Sequence, residues 1–151
     1  MFKGAEKFRK ELRETKDQEL TELAELLEMQ QKLDESILKE KGITEYPVDE
    51  IETALIVELG ELMNEFPTKF KYWKSTAVDN RKKGLEEYVD CLHFALSIAN
   101  YLFGLTEGKK IYHYLVYLFE LGYILGFTWN EIYKAYKDKN KVNYERLQNG
   151  Y

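Results

Sequence analysis

The chain has few of the residues that build disulfide-linked, thiolate-metal or membrane-spanning structures. Cys91 is its one cysteine, which leaves no partner for a disulfide framework or a cysteine zinc site. A lone cysteine in an apolar run fits a reducing compartment. No stretch approaches the ~18 apolar residues of a membrane helix, and residues 1–6 lack the apolar segment of a signal peptide. We therefore expect a cytoplasmic protein with no membrane partner.

Helix-breaking residues are also scarce. Proline occurs twice and glycine nine times, while 44% of the 151 residues are hydrophobic, so long helices around one core are expected. No glycine-rich loop follows a strand pattern, which excludes Walker and dinucleotide-binding motifs. The net charge of −5 disfavours nucleic acid as a partner, because phosphate backbones bind basic surfaces. The length fits a single domain, residues 1–151.

Apolar residues at helical spacing predict an all-α bundle of about five helices. The first helix begins at Leu20 and ends at Lys41, before Gly42. Polar composition predicts a possible N-terminal arm or frayed helix over residues 1–19 and a disordered tail over residues 139–151. Further helices are predicted over residues 48–65, 83–103, 107–125 (core or subunit interface) and from the Thr128–Glu131 capping box to about 138, with a turn at 104–106.

Two acidic pairs lie within these helices, Glu58 with Glu61 and Glu87 with Asp90. Residues three apart are neighbours on a helix, so each pair presents two carboxylates side by side. The helix over 48–65 is apolar on most sides, which predicts burial, and buried carboxylates need a neutralising cation. Gly60, between the glutamates, suggests the close approach of another group. The sequence therefore predicts four carboxylates in a four-helix metal-binding core.

The spacing of the acidic residues favours magnesium. A di-iron bundle would need histidine three residues after each first glutamate, and this sequence has none there. Magnesium links protein carboxylates to substrate phosphates, and two or more such ions, with Mn²⁺ as an alternative, can activate a water. Hydrolysis of a nucleotide polyphosphate follows as a hypothesis. The alternative is a helical interaction protein whose acidic stripe is a docking face without catalysis.

Four other residues occupy unusual positions on the predicted helices. Gln30 and Asp34 lie one turn apart beside an apolar stripe, and from that helix alone the edge of the stripe in solvent is the simpler interpretation. Phe94 lies on the polar stripe of Asp90, where a ring could stack on a base. His93 fits a hydrogen-bonded polar residue better than a metal ligand.

Residues 67–82 mix lysines with aromatic residues directly after the first acidic pair. Cations among rings can bind an anionic, partly aromatic ligand. A solvated loop held by one buried tryptophan is the alternative.

Four segments together resemble the dimeric all-α dUTPases of the all-α NTP pyrophosphatase superfamily, which includes MazG-like proteins. Residues 54–65 and 86–97 resemble the two metal motifs, the second with the His-Phe pair of the dUTPase branch. Residues 29–34 resemble the Gln-x-x-Leu-Asn/Asp motif, and residues 140–151 the C-terminal phosphate-binding motif. The resemblance runs from about residue 20 to the end of the chain.

This resemblance implies a homodimer that converts dUTP, and also dUDP as a further candidate, to dUMP. It implies that carboxylates hold the magnesium, with Glu58 or Glu61 as the base that activates water, and that the C-terminal tail is mobile when empty and orders over substrate. dCTP or another nucleoside triphosphate remains an alternative substrate. The implied metal ligands are Glu58, Glu61, Glu87 and Asp90, and the implied substrate-binding residues are Gln30, Asp34, Lys71, Trp73, Phe94, Lys139, Asn143, Arg146 and Tyr151.

Overall fold

The computed structural model of the protein describes residues 2–103 and 109–150. These residues form helices and connecting segments without a β-strand, which confirms the all-α prediction. No helix in the described ranges is long and apolar enough to cross a membrane. The predicted turn at 104–106 lies outside the described residues. The described ranges contain six α-helices, α1 (Lys3–Glu14), α2 (Gln18–Lys41), α3 (Val48–Asn64), α4 (Arg81–Phe103), α5 (Lys109–Ile124) and α6 (Trp129–Asn149), with a 3₁₀ turn at Pro67–Lys69.

The residues predicted as an N-terminal arm form α1, which packs against α2 and α4. Ala5 and Leu12 are buried, and the ring of Phe8 stacks on Phe103 with centroids 4.1 Å apart. These apolar side chains share one face of α1. Burial of that face, rather than the charged surface of the helix, holds α1 on the bundle.

Local chemistry at the helix ends matches the sequence pattern. The Asp17 side chain caps α2 by accepting from the backbone N–H of Leu20 at 3.0 Å. Gly42 ends the same helix in the left-handed region, at φ 65°, where glycine carries no steric penalty. Thr128 and Glu131 form the predicted capping box at the start of α6.

Helix α6 continues well beyond the end predicted near residue 138. It ends at Asn149, so most of the segment predicted as a disordered tail is helical. No glycine or proline interrupts residues 129–149, and Ile132, Tyr136 and Asn140 are buried where α6 packs on α2 and α4. The polar composition of residues 139–149 gives no apolar spacing that would have predicted this extension.

Helix α4 lies at the centre of the bundle and contacts α1, α2, α3, α5 and α6. Tyr88, Leu92 and Leu96 are fully buried along it. The Tyr88 hydroxyl donates to the carbonyl oxygen of Leu118 at 2.9 Å. A Cβ atom at Gly122 would lie 2.7 Å from that hydroxyl, so the close approach of α5 to α4 requires glycine there.

Helix α3 is less buried than its composition predicts. Ile56 is 71% exposed and Val57 52% exposed, and Leu62 is the one fully buried residue of this helix. The close approach expected at Gly60 is wrong, because nothing lies within 4 Å of a Cβ placed there. An apolar face of α3 therefore points outward, beside a groove that α3 shares with α4 and α5.

Candidate functional site

Carboxylates from two adjacent helices meet in one cluster. Glu58 and Glu61 of α3 and Glu87 of α4 each offer an oxygen within 4.8 Å of the others. The pKa of Glu58 is raised, first by burial and then by the negative charges of Asp90, Glu61 and Glu87. The packing of α3 along α4 thus forces together like charges that a cation would stabilise.

The fourth predicted ligand, Asp90, lies next to this cluster but is already paired. Both of its carboxylate oxygens contact the Nζ atom of Lys139 on α6, at 2.7 and 2.8 Å. A second ammonium group, that of Lys83, lies 3.0 Å from a Glu65 oxygen and 3.6 Å from a Glu87 oxygen. Lysine charges therefore partly neutralise the acidic residues of α3 and α4.

The donor set of the cluster fits a hard divalent cation. All three grouped side chains are carboxylates, and oxygen ligands of this kind suit Mg²⁺ or Mn²⁺. The described residues at the cluster include no thiolate or imidazole, which a structural zinc ion would favour. Glu58, Glu61 and Glu87 could hold the ion directly, and Asp90 lies within electrostatic reach.

A pocket of about 370 Å³ opens beside the cluster. Residues of α2, α3, α4 and α6 form its walls. Glu58 and Asp90 line one part of the pocket, and apolar side chains line another part. Two cationic side chains, Lys139 and Arg146, line the same space. The predicted site residues along its wall are Gln30, Asp34, Glu58, Asp90, Phe94, Lys139, Asn143 and Arg146.

A directional hydrogen-bond network lies along one wall of the pocket. The side-chain amide of Gln30 donates to Asp34 Oδ1 at 2.8 Å and to the Ser97 hydroxyl at 2.9 Å. Ser97 in turn donates to Asp34 Oδ1 at 3.0 Å, and the Tyr46 hydroxyl donates to Asp34 Oδ2 at 3.2 Å. Asp34 therefore accepts three hydrogen bonds inside the protein.

The same network fixes the ring of His93. Because the Gln30 amide group faces Asp34, its Oε1 atom faces His93 Nδ1, at 2.6 Å, and Nδ1 must donate. The Tyr136 hydroxyl also donates to this oxygen, at 2.7 Å, while its ring stacks on His93 with centroids 4.2 Å apart. His93 Nε2 is left as a buried acceptor without a protein partner among the described residues.

Burial shifts the pKa values of Asp34 and His93 in opposite directions. It raises the pKa of Asp34 to about 6, against the lowering effect of the Gln30, Ser97 and Tyr46 hydrogen bonds. Burial, with the nearby charge of Lys139, lowers the pKa of His93 to about 3. His93 is therefore neutral at physiological pH, and its tautomer places the proton on Nδ1.

The structure corrects the solvent-edge interpretation of Gln30 and Asp34. Both side chains are buried, 4% and 8% exposed, because α4 and α6 cover the side of α2 that carries them. Sequence reasoning also missed Tyr46 and Tyr136 as parts of the site. The spacing of Tyr136 and Asn140, one turn apart, is the signal that could have identified the side of α6 that packs on the bundle.

Two predicted substrate-binding residues in the described ranges lie away from the pocket wall. Lys71 and Trp73 belong to the segment between α3 and α4 and are absent from the residues lining the pocket. Trp73 is 67% exposed, so the alternative of a loop held by a buried tryptophan is wrong. The Lys71 ammonium lies 5.3 Å from the ring centre of Phe70. The remaining predicted residue, Tyr151, lies outside the described residues.

The one cysteine offers no nucleophile to this site. Cys91 is buried, and burial, with the charges of Glu58 and Asp90, raises the pKa of its thiol to about 12. A thiol in that state is inert at neutral pH.

Comparison with known proteins matches most of the chain to one family. A family model described as dUTPase covers residues 22–111 and 104–151. The dCTP pyrophosphatase of Enterobacteria phage T4 is 31% identical over 107 residues, which are 69% of this chain and 56% of the phage protein. The chain thus matches little more than half the length of that curated relative.

Proposed function

This chain belongs to the all-α dUTPase family, and from that membership we propose that it is a magnesium-dependent pyrophosphohydrolase that converts dUTP to dUMP and pyrophosphate. The observation that carries the proposal is the carboxylate cluster of Glu58, Glu61 and Glu87 beside a pocket that also contains the cations Lys139 and Arg146. A divalent cation and a polyphosphate together would balance both sets of charges.

The acidic residues have the roles of ligand and base in this proposal. Glu58, Glu61, Glu87 and Asp90 would hold the ions, which would supply Lewis-acid stabilisation and an activated water. Glu58 or Glu61 would be the base that takes a proton from the water attacking the polyphosphate. Burial and the charges of Asp90, Glu61 and Glu87 raise the pKa of Glu58 in the metal-free cluster, and a bound cation would relieve that repulsion.

The remaining pocket residues bind the nucleotide. Lys139, Asn143 and Arg146 follow one another at spacings of four and three residues on α6, so they share one helical face. That face lines the pocket and binds the phosphates. Phe94 stacks on the base, and Gln30 with Asp34 contacts the base or sugar. Lys71, Trp73 and Tyr151 remain candidates for completing the site from outside the pocket wall.

A cytosine nucleotide is the second candidate substrate. The phage T4 relative is a dCTP pyrophosphatase, and a stacking ring such as Phe94 accepts either pyrimidine. Discrimination then depends on hydrogen-bonding groups near the base, of which Asp34 and the unpartnered Nε2 atom of His93 are the available acceptors.

A pyrophosphate-release assay over the deoxynucleoside triphosphates, with and without Mg²⁺, tests the proposal. We expect hydrolysis of dUTP that requires the metal. Hydrolysis of dCTP but not dUTP would assign the cytosine alternative, and no hydrolysis of any nucleotide would favour the non-catalytic interaction protein.

Variants of α3 show whether the carboxylate cluster is responsible. Glu58→Gln should lower kcat by about 100-fold or more, the usual cost of losing a general base or its equivalent. Because this change also relieves repulsion in the cluster, the metal-free variant should melt at a higher temperature than the wild type. Glu50→Gln, an exposed change in the first turn of α3, is the matched control and should retain full activity.

A homodimer is the quaternary state that we propose. Its support is the apolar surface of α3 and α5, where Ile56, Tyr117 and Ile124 are all more than 60% exposed. Three helices enclose an apolar groove of about 520 Å³ on this side of the molecule. Exposed apolar surface of this extent is typical of protein interfaces.

A further inference from the structure

The pairing of Lys139 with Asp90 separates one carboxylate from the other three. Glu58, Glu61 and Glu87 approach within 4.8 Å of one another, and Asp90 is not a member of that group. Both Asp90 oxygens instead contact Lys139 Nζ, at 2.7 and 2.8 Å. The two side chains are only 22% and 26% exposed, so this ion pair is partly shielded from solvent and from screening by salt.

We infer that Lys139 is an exchangeable counter-ion: without substrate it neutralises Asp90, and phosphate draws it away so that Asp90 completes the metal site. The inference rests on the proposed function for the identity of the phosphate-bearing ligand. It adds that metal binding and phosphate binding are coupled through one side chain.

The position of Lys139 allows this exchange. Its side chain lines the pocket together with Asn143 and Arg146, so phosphate oxygens bound by that face of α6 would compete with Asp90 for the same ammonium. A lysine side chain is a point charge on a flexible four-carbon stem, and it can change partners without moving its helix. One ammonium cannot neutralise the carboxylate and the phosphate fully at the same time.

The exchange has a definite sign for each ligand. When no phosphate is present, a cation can bind Asp90 only by displacing Lys139. The ion pair therefore weakens binding of the metal alone. When no metal is present, a phosphate can likewise bind Lys139 only by separating this lysine from Asp90. Binding of either ligand therefore strengthens binding of the other. The coupling free energy between the two binding events must be equal in both directions.

Lys83 provides a contrast within the same cluster. Its ammonium also contacts a cluster carboxylate, Glu87, at 3.6 Å, but its side chain is 54% exposed. Lys83 is not among the residues that line the pocket, so phosphate bound in the pocket would not contact its ammonium group. The exchange is specific to Lys139.

The first test measures Mg²⁺ binding by calorimetry in the absence of nucleotide. Lys139→Met should bind Mg²⁺ about fivefold more tightly than the wild type, the scale of a partly exposed ion pair. Arg146→Met removes the same charge from the same pocket without breaking the Asp90 pair, and it should change Mg²⁺ affinity clearly less. In the Asp90→Asn background, Lys139→Met should have no further effect beyond that of Arg146→Met.

The second test measures binding of inorganic triphosphate in the presence of a chelator. Asp90→Asn releases Lys139 and should strengthen triphosphate binding more than Glu61→Gln, which removes an equal charge from the cluster but leaves the pair intact. Helical circular dichroism and the melting temperature establish that each variant is folded.

Equal Mg²⁺ affinities for Lys139→Met and Arg146→Met would overturn the inference, as would equal triphosphate affinities for Asp90→Asn and Glu61→Gln. Neither measurement involves turnover. A failure to hydrolyse any nucleotide would therefore contradict the proposed function and leave the ion-pair exchange to be judged by these binding data.

Discussion

Asp34 is a buried acid whose surroundings favour opposite protonation states. Burial disfavours its charge, while hydrogen bonds from Gln30, Ser97 and Tyr46 favour it, and the balance raises its pKa to about 6. Because a carboxylate that accepts these bonds also orients the Gln30 amide, Asp34 indirectly determines which nitrogen of His93 carries the proton. One side chain thus controls the hydrogen-bonding pattern of this wall of the pocket.

The pKa of Asp34 predicts a pH dependence of stability. Its value of about 6 in the folded protein lies above the ordinary 3.8, so the folded state holds the proton more tightly than the unfolded chain. As the pH rises from about 4 to about 6, the unfolded state loses this proton first. The free energy of unfolding should therefore fall over that range by roughly 3 kcal/mol from this group, at 1.36 kcal/mol per pKa unit.

Urea unfolding over a pH series, with wild type and Asp34→Asn compared, measures this contribution. The variant should lack the Asp34 share of the pH dependence, since asparagine does not titrate and the Tyr46 hydroxyl can turn to accept from its amide. Glu35→Gln changes an exposed neighbour on α2 and is the control. An identical pH dependence in wild type and Asp34→Asn would contradict the assignment.

Among the elements, α6 links the buried network to the phosphate-binding candidates. Its first half is anchored through Tyr136, which contacts both Gln30 and His93. Its second half carries Lys139, Asn143 and Arg146 along the pocket. A continuous helix fixes the spacing of these three side chains relative to the network, which a flexible tail would not do.

Interruption of α6 tests this arrangement. Lys141→Pro places proline at an exposed position in the helix interior, where it removes a backbone hydrogen bond and breaks the helix. Arg146 and Asn143 should then lose their registration with Lys139, and KM for the nucleotide should rise about tenfold, as expected for losing a charge-assisted hydrogen bond. Lys141→Ala, which favours helix, is the control. An unchanged KM in the proline variant would show that the second half of α6 does not contact substrate.

The sequence predicted the helical elements well where apolar spacing or capping residues mark them. The helix over 48–65, the end of α2 at Gly42 and the capping box at Thr128 all agree with the structure. The sequence predicts too short an α6 because Asn140 is the one buried residue between residues 139 and 149, and the remainder of that segment is polar or charged at most positions. The spacing of residues within one helix does not indicate which other helix packs over a given side chain.

That limit also explains the errors within the candidate site. Gln30 and Asp34 are polar residues at the edge of an apolar stripe, and only the packing of α4 and α6 over α2 buries them. The acidic pairs were predictable as neighbours because their spacing is local. The Lys139–Asp90 pair was not, because its partners are 49 residues apart on different helices.

At the scale of the whole molecule, the apolar surface is distributed unevenly. The described residues of the single chain bury the apolar sides of α2 and α4 but leave Ile56 and Val57 of α3 and Tyr123 and Ile124 of α5 in solvent. The acidic cluster lies on a different side of α3 from Ile56, since residues two apart point in nearly opposite directions on a helix. A second copy can therefore cover the apolar groove without blocking the metal-binding carboxylates.

Light scattering after size-exclusion chromatography tests the proposed homodimer. The wild type should elute with about twice the 18.0 kDa mass of the chain. Ile56→Glu should shift it toward the monomer mass, because a carboxylate buried at an apolar interface carries a large desolvation penalty. Val78→Glu, at an 81% exposed position away from the groove, should leave the mass unchanged. A dimer that persists in folded Ile56→Glu would assign the interface to another surface, and a monomeric wild type would contradict the dimer itself.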